Sequence, residues 1–145
     1  MSILFKRCSS CSALEKKYGS KVKIAFKHFP LPFHAQARLA AEGSMCANAQ
    51  NSKYFWKMHD TMFADQSRLD RDNLIITAKK AGANEAEFKA CLDAGKFKGS
   101  VDADVAEGTN IGVKSTPTFF VNGKLIAGAQ PIEVFSEVID EELAK

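Results

Sequence analysis

The sequence predicts an α/β protein in which a block of helices separates two regions with strand character. Residues 21–29 alternate between apolar and polar side chains, with the period of two that is typical of a half-buried strand. Residues 35–107 carry apolar side chains at helical spacing. The period of two then returns in "TPTFFVNGKLIAG", where Asn122-Gly123 indicates a β-hairpin. Residues 131–143 end the chain as an amphipathic helix.

The composition indicates a globular protein and argues against nucleic-acid-binding and membrane-spanning classes. The chain has 145 residues, of which 46% are hydrophobic and 26% are charged, as in a soluble globular protein with a real core. The net charge of +3 is spread along the chain, so we expect no nucleic-acid partner. No apolar run reaches the roughly 20 residues of a membrane helix. Residues 1–5 are too short for a signal peptide, which leaves a cytosolic protein or a chain whose leader was removed.

Capping residues divide the central block into helices. Ser52 is the expected N-cap of one helix, and Asn84 precedes another that Gly95 follows. A last helix over roughly residues 97–107 leads back to the strand region. Proline at 131 fits the first position of the final helix.

The first candidate site is the Cys8-Ser9-Ser10-Cys11 motif, which runs directly into a helical pattern. At a helix N-terminus, unpaired amides and the helix dipole would favour a Cys8 thiolate, and Cys11 would be spaced to resolve a mixed disulfide. Lys6 and Arg7 add positive charge just upstream. A zinc site needs a second ligand pair, and no other C-x-x-C or H-x-x-x-H occurs. From these residues alone, a redox pair and two inert helix cysteines both remain open.

The second candidate is the Thr116-Pro117 pair that precedes the predicted hairpin. Its position is compatible with a cis peptide bond, but these residues alone favour an ordinary proline that ends a loop before an edge strand.

Longer stretches carry a resemblance to a known family. "KVKIAFKHFPLPFHAQARLAAEGSMCANAQ", "FWKMHDTMF" and "IGVKSTPTFFVNGKLIAGAQP" resemble the DsbA-like thiol:disulfide oxidoreductases of the thioredoxin superfamily, over roughly residues 18–143. The resemblance implies a thioredoxin fold with an inserted all-helical subdomain. Residues 1–33 and 108–145 would then form the thioredoxin-fold domain, with a short or missing first strand. Residues 34–107 would form the insertion.

The resemblance also implies the roles of the candidate residues. Cys8 would be the exposed nucleophile and Cys11 the resolving thiol. Pro117 would be cis, and Thr116 would offer its backbone to an extended substrate segment. No metal or organic cofactor is expected.

The N-terminal region departs from the family pattern, and two interpretations remain open. Family members usually have their second active-site cysteine about fourteen residues before the tyrosine that matches Tyr18, whereas Cys11 lies seven before it. Either residues 3–5 are a remnant of the central strand and helix one is two turns shorter, or the helix is full length and runs through Cys8 and Cys11. The family's cysteine positions would then fall at Met1 and Leu4.

The two remaining cysteines, Cys46 and Cys91, lie on apolar helix faces and could be buried thiols. Because some relatives carry a second, structural disulfide in the helical domain, the resemblance makes these positions candidates for one. The histidines, His28, His34 and His59, lack partners at nucleophile or metal spacing, so we expect packing or surface roles.

Thiol:disulfide exchange on cysteine-containing proteins is therefore the expected function, with the direction of exchange open. The resemblance implies a periplasmic or otherwise extracytoplasmic location and a membrane redox partner if the protein is an oxidase. A glutathione-transferase or isomerase of the kappa or chromene-carboxylate type, using Ser2 or Ser9, is one alternative. A redox-inactive peptide-binding module is another. A short first strand would leave an exposed sheet edge, which predicts a homodimer.

Overall fold

The computed structural model describes the backbone of residues 9–145 and the side chains from residue 13 onward. Within that range the helices and strands follow the order helix, helical block, hairpin, helix. Their bounds are α1 Ser9–Tyr18, a 3-10 turn Gly19–Lys21, α2 Ala37–Gln50, α3 Ser52–Ala64, α4 Arg71–Ala81, α5 Glu85–Asp93, α6 Lys98–Asn110, β1 Thr118–Val121, β2 Lys124–Ala127 and α7 Ile132–Leu143.

The chain separates into two compact units. One, called here the discontinuous unit, combines the described residues up to 28 with residues 108–145. The other, the helical unit, is the continuous stretch 29–107. Each has its own hydrophobic core.

The hairpin of the discontinuous unit is formed as the Asn-Gly pair predicts. β1 and β2 are antiparallel, with Val121 opposite Lys124 across the turn. Asn122 and Gly123 both have positive φ, at 47° and 89°. Two positive φ values give the turn a twist that matches the two strands, which is why asparagine and glycine are favoured there.

One face of the hairpin packs against helices to form the core of this unit. Phe119 and Phe135 are both nearly fully buried, and their rings meet edge to face with centroids 4.8 Å apart. The other buried apolar residues of this core are Leu14, Tyr18, Ile126 and Ile139. The amphipathic helix predicted for residues 131–143 is therefore confirmed, with Phe135 and Ile139 buried, Ile132 partly buried and Leu143 exposed.

The prediction of a strand over residues 21–29 is wrong for the described part of the chain. The first residue of that stretch, Lys21, ends the 3-10 turn Gly19–Lys21, and residues 22–29 form no strand. The predicted alternation of apolar and polar side chains is still present in the structure. Val22, Ile24 and Phe26 pack against the core, while Lys23 is exposed. Alternation reports which side chains face a core, whereas a strand also requires ladder bonds to a neighbouring strand.

The helical unit is built from α2 to α5 and most of α6 around large buried side chains. Phe88, Met58 and Leu74 are all completely buried. Asp70 and Asn84 cap α4 and α5, each accepting a hydrogen bond from a backbone amide three residues on. α3 is capped by Asn51, which accepts a bond from the Lys53 amide, and not by Ser52 as predicted, since Ser52 is already helical.

No helix in the described part of the chain is both long and apolar enough to cross a membrane.

Candidate functional site

Helix α1 carries the second cysteine of the C-x-x-C motif. The backbone of Cys11 lies in the first turn of the Ser9–Tyr18 helix, and Cys8 precedes the described residues. This first turn contains no acidic residue, and Lys16 and Lys17 lie in the last turn. Cations at the C-terminus are the arrangement that the helix dipole favours.

Apolar and hydrogen-bonding contacts hold α1 in place. Leu14 and Tyr18 lie four residues apart on one helix face, and both are buried in the core of the discontinuous unit. The Tyr18 hydroxyl also donates to the backbone carbonyl of Ser136 in α7, at 3.2 Å. The segment that carries Cys11 therefore belongs to a helix with an anchored C-terminal half.

The second part of the candidate site is the loop that joins α6 to β1. α6 ends at Asn110 and is followed by Gly112, whose φ is 85°, and the Val113 amide donates back to the Gly108 carbonyl at 2.9 Å. At the other end of the loop, the Thr116–Pro117 peptide bond is cis. Both residues of that bond are half-buried.

Two hydrogen bonds fix the end of this loop. The Gly128 amide donates to the Pro117 carbonyl at 2.9 Å, and the Thr118 hydroxyl donates to the Ser115 carbonyl at 2.6 Å. Sequence reasoning missed Gly128. The sequence could have indicated it, because a glycine directly after a predicted strand often marks a position with positive φ. Gly128 has a φ of 76°.

Thr116 and Pro117 lie in the same compact unit as α1. The Cys11 sulfur and the whole of Cys8 lie outside the described atoms.

The other two cysteines form a disulfide. Cys46 in α2 and Cys91 in α5 have Cα atoms 5.9 Å apart, and the Cys46 side chain is fully buried. The bond joins two helices of the helical unit whose cysteines are 45 residues apart in sequence. Of the two interpretations left open by the sequence, the structural disulfide is the one observed.

The histidines have packing contacts. His28 is buried with its ring edge-on to Phe26, at a centroid distance of 5.0 Å. His34 is exposed and stacks at a tilt on Phe33. His59 is buried, and its Nδ1 lies 3.1 Å from Oδ1 of Asp60. No group of three metal-binding side chains comes together among the described residues.

Comparison with known proteins places this arrangement in a family. The family model described as thioredoxin matches residues 6–141. The Na⁺/H⁺ antiporter NhaA of Nitrosospira multiformis is 32% identical over 129 residues, which make up 87% of this chain and 20% of the antiporter. This chain therefore spans about a fifth of the length of the antiporter relative.

Smaller relatives match over more of their length. Disulfide bond formation protein D of Bacillus subtilis is 26% identical over 152 residues, covering 94% of this chain and 68% of that protein. The crystal structure of oxidised BdbD from Bacillus subtilis superposes with a TM-score of 0.82 at 24% identity, covering 99% of this chain and 86% of BdbD. The chain belongs to the thioredoxin family, in the DsbA-like form of the fold that carries a helical insertion.

Proposed function

We propose that this protein exchanges thiols and disulfides with cysteines of other proteins through Cys8 and Cys11. The observation that carries the proposal is the C-x-x-C motif itself, whose second cysteine lies in α1. The family and the similarity to a disulfide bond formation protein support the same chemistry.

The local electrostatics favour a reactive thiolate. Amides in the first turn of a helix have no intrahelical partner and can donate to a sulfur at the helix start. The sequence contains no carboxylate side chain before Glu15 that would oppose a negative charge on Cys8. Lys6 and Arg7 precede Cys8 in sequence and add positive charge near it. A lowered pKa would make the Cys8 sulfur a better leaving group. It would also raise the fraction of Cys8 that is thiolate at neutral pH.

The exchange proceeds in two steps that balance in atoms and electrons. Starting from a Cys8–Cys11 disulfide, a substrate thiolate attacks the Cys8 sulfur, forms a mixed disulfide and releases the Cys11 thiolate. A second substrate thiolate attacks the substrate sulfur of that bond and releases the Cys8 thiolate. Two electrons pass from the substrate dithiol to the pair, and the two substrate thiol protons are released. The reverse sequence reduces a substrate disulfide.

The loop before β1 supplies the substrate-binding surface in this proposal. Substrate in extended form would pair with the Thr116 backbone beside the thiols, with Pro117 closing the groove. The bonds from Gly128 to Pro117 and from Thr118 to Ser115 fix the loop conformation before substrate arrives. A preformed loop avoids an ordering cost on binding.

We place the protein outside the cytoplasm, where disulfides persist. The Cys46–Cys91 disulfide supports that location. If exchange runs toward oxidation of substrates, a membrane redox partner must reoxidise the pair after each cycle.

Alkylation at varied pH with peptide mapping tests the proposal. We expect Cys8 to react with an apparent pKa well below the value of about 8.5 for a free cysteine. After air oxidation Cys8 and Cys11 should be protected together. If both titrate as free cysteines, they lie in the interior of a longer helix and the protein has no redox pair.

Matched variants separate the redox proposal from its alternatives. Cys8→Ser should abolish oxidation of a dithiol peptide, and Cys11→Ser should accumulate a mixed disulfide. The Cys46→Ala/Cys91→Ala variant should retain the activity. A glutathione-dependent rise in melting temperature that survives Cys8→Ser would favour the transferase or isomerase alternative. A wild-type protein that binds the peptide without any exchange, and whose full affinity survives Cys8→Ser, would favour the peptide-binding module.

A further inference from the structure

The side chain of Thr118 is buried at the start of β1, next to the proposed substrate-binding loop. The residue is only 3% exposed. Its backbone pairs with Ala127 of β2, so the strand ladder holds it in place. Because threonine is branched at Cβ, its side chain has few χ1 rotamers. The Thr118 hydroxyl therefore has a well-defined position.

That hydroxyl donates a hydrogen bond to the backbone carbonyl of Ser115, at 2.6 Å. Buried hydroxyls in proteins nearly always have such a partner. Ser115 itself is exposed, whereas Thr118 is buried. The bond therefore turns the Ser115 carbonyl inward, toward the buried side chain.

The Ser115 carbonyl belongs to the same peptide unit as the Thr116 N–H. This unit is trans, since the cis bond of the loop is the next one along the chain. The atoms of a trans peptide unit lie in one plane, with the carbonyl and the N–H on opposite sides. A hydrogen bond that orients the Ser115 carbonyl toward Thr118 therefore orients the Thr116 N–H away from Thr118.

The Thr116 N–H is available to a ligand in this arrangement. It donates no hydrogen bond to any group in the described part of the chain. Thr116 is half-buried, and the two residues before it, Lys114 and Ser115, are exposed. A backbone donor in such a place is satisfied by water or by a carbonyl of a bound peptide.

The other hydrogen bond of the loop does not fix this donor. The Gly128 amide donates to the Pro117 carbonyl at 2.9 Å, on the far side of Thr116. The backbone dihedrals of Thr116 lie between that anchor and the Ser115–Thr116 peptide unit, and they are free to rotate. The direction of the Thr116 N–H therefore depends on the bond from Thr118.

We propose that Thr118 is a positioning residue for substrate, because its hydroxyl aims the Thr116 N–H at a carbonyl of an extended substrate. This inference rests on the proposed function, in which the Thr116 backbone binds substrate. In this role Thr118 contacts the loop and not the substrate. A donor that is oriented before binding avoids an ordering cost in the complex.

Thr118→Val and Thr118→Ser separate the hydroxyl from the shape of the side chain. Valine keeps the branched shape and loses the donor, whereas serine keeps the donor. Thr61→Val is the control for loss of a similar bond elsewhere, because the Thr61 hydroxyl donates to the Lys57 carbonyl at 2.9 Å within α3. Melting temperatures verify that the three variants fold.

The first measurement is single-turnover oxidation of a blocked two-cysteine peptide by the oxidised full chain. We expect Thr118→Val to raise the half-saturating peptide concentration about fivefold, equivalent to about 1 kcal/mol, and to leave the maximal rate within about twofold. The alkylation pKa of Cys8 should not change. Thr118→Ser and Thr61→Val should stay within about twofold of wild type in both quantities.

The second measurement needs no thiol, because it uses the same peptide with serine in place of both cysteines. Its dissociation constant should rise about fivefold in Thr118→Val and stay within about twofold in Thr118→Ser. Esters placed in turn along the peptide backbone each weaken one carbonyl acceptor. At the position that pairs with Thr116, the ester should weaken binding to wild type but not to Thr118→Val.

The two measurements distinguish failure of this inference from failure of the proposed function. A folded wild type that binds the serine peptide but oxidises no two-cysteine peptide contradicts the proposed function, and the serine peptide still tests the role of Thr118. Unchanged peptide binding in Thr118→Val, or equal losses in Thr118→Val and Thr118→Ser, would overturn the positioning role. So would ester effects that are identical in wild type and Thr118→Val. Failure of both peptides to bind wild type at millimolar concentration would overturn both proposals.

Discussion

The hydroxyl of Tyr18 lies 2.8 Å from Oδ1 of Asp140 and donates a hydrogen bond that joins the end of α1 to α7. Lys17 lies on the same side of the contact, with its Nζ 4.0 Å from the other carboxylate oxygen of Asp140. Because Tyr18 is buried while Asp140 is exposed, the hydroxyl has fewer alternative partners than the carboxylate. The contact therefore orients the helix that carries Cys11.

Removal of the Tyr18 hydroxyl should weaken this contact between helices. We expect Tyr18→Phe to lower the free energy of unfolding by about 1 kcal/mol, since the ring still fills its place and only the hydroxyl is lost, whose single proton is shared between Asp140 Oδ1 and the Ser136 carbonyl. Urea unfolding measures the change, with Asp140→Asn and the double variant completing a mutant cycle. Strictly additive effects in that cycle would contradict a direct interaction between the two side chains.

The Cys46–Cys91 disulfide should stabilise the folded chain substantially. It closes a separation of 45 residues, and the loop-entropy relation gives about 4 kcal/mol as an upper figure. We expect Cys46→Ala/Cys91→Ala to lose about 2–4 kcal/mol in urea unfolding under oxidising conditions. Reduced wild type is the control and should resemble the double variant. Equal stability of oxidised wild type and the variant would contradict a structural role.

Two glycines of the helical unit should respond oppositely to alanine. Gly82 has a φ of 111°, and an added Cβ would come within 2.8 Å of the Tyr54 ring. Gly43 lies inside α2, where an added Cβ would meet Phe88 at 3.4 Å. Gly82→Ala should cost about 1–2 kcal/mol, whereas Gly43→Ala should be neutral or stabilise by up to about 1 kcal/mol. Thermal unfolding of both variants checks this, and equal destabilisation would contradict it.

The elements predicted best from sequence are those whose signal is local. The Asn122-Gly123 turn needs positive φ at two successive positions, and asparagine followed by glycine tolerates that. The cap at Asn84 is likewise a contact within a few residues, to the Glu87 amide. Such local interactions restrict the residue types that fit at these positions, so both features could be predicted from the sequence.

The features missed depend on partners distant in sequence. Whether residues 21–29 form a strand depends on which segment lies beside them, and side-chain alternation carries no information about that neighbour. The bond from Gly128 to Pro117 likewise joins positions that the hairpin brings together. The family resemblance suggested a disulfide between Cys46 and Cys91. Their apolar positions on two helices were equally compatible with two buried free thiols. The roles of Cys8, Cys11, Thr116 and Pro117 remain predictions.

Glu85, in the first turn of α5, gives the protein a measurable acid dependence. Its carboxylate lies 2.5 Å from Nζ of Lys89 and 3.0 Å from Nζ of Lys79 in α4. Hydrogen bonds to these two ammonium groups lower the pKa of Glu85 from 4.5 to about 2. Glu87 lies in the same turn and is exposed, which makes it a suitable control.

Because the pKa of Glu85 is lower in the folded state, its contribution is complete above the unfolded value of 4.5 and is lost as the pH falls through about 2. We therefore expect Glu85→Gln to be less stable than wild type at pH 6, with the difference shrinking steadily between about pH 4.5 and pH 2. Urea unfolding at several pH values measures it. Added salt should reduce the difference at pH 6, because both ion pairs are exposed. Glu87→Gln should lack this trend, and an equal trend in both variants would show that the two lysines are not its cause.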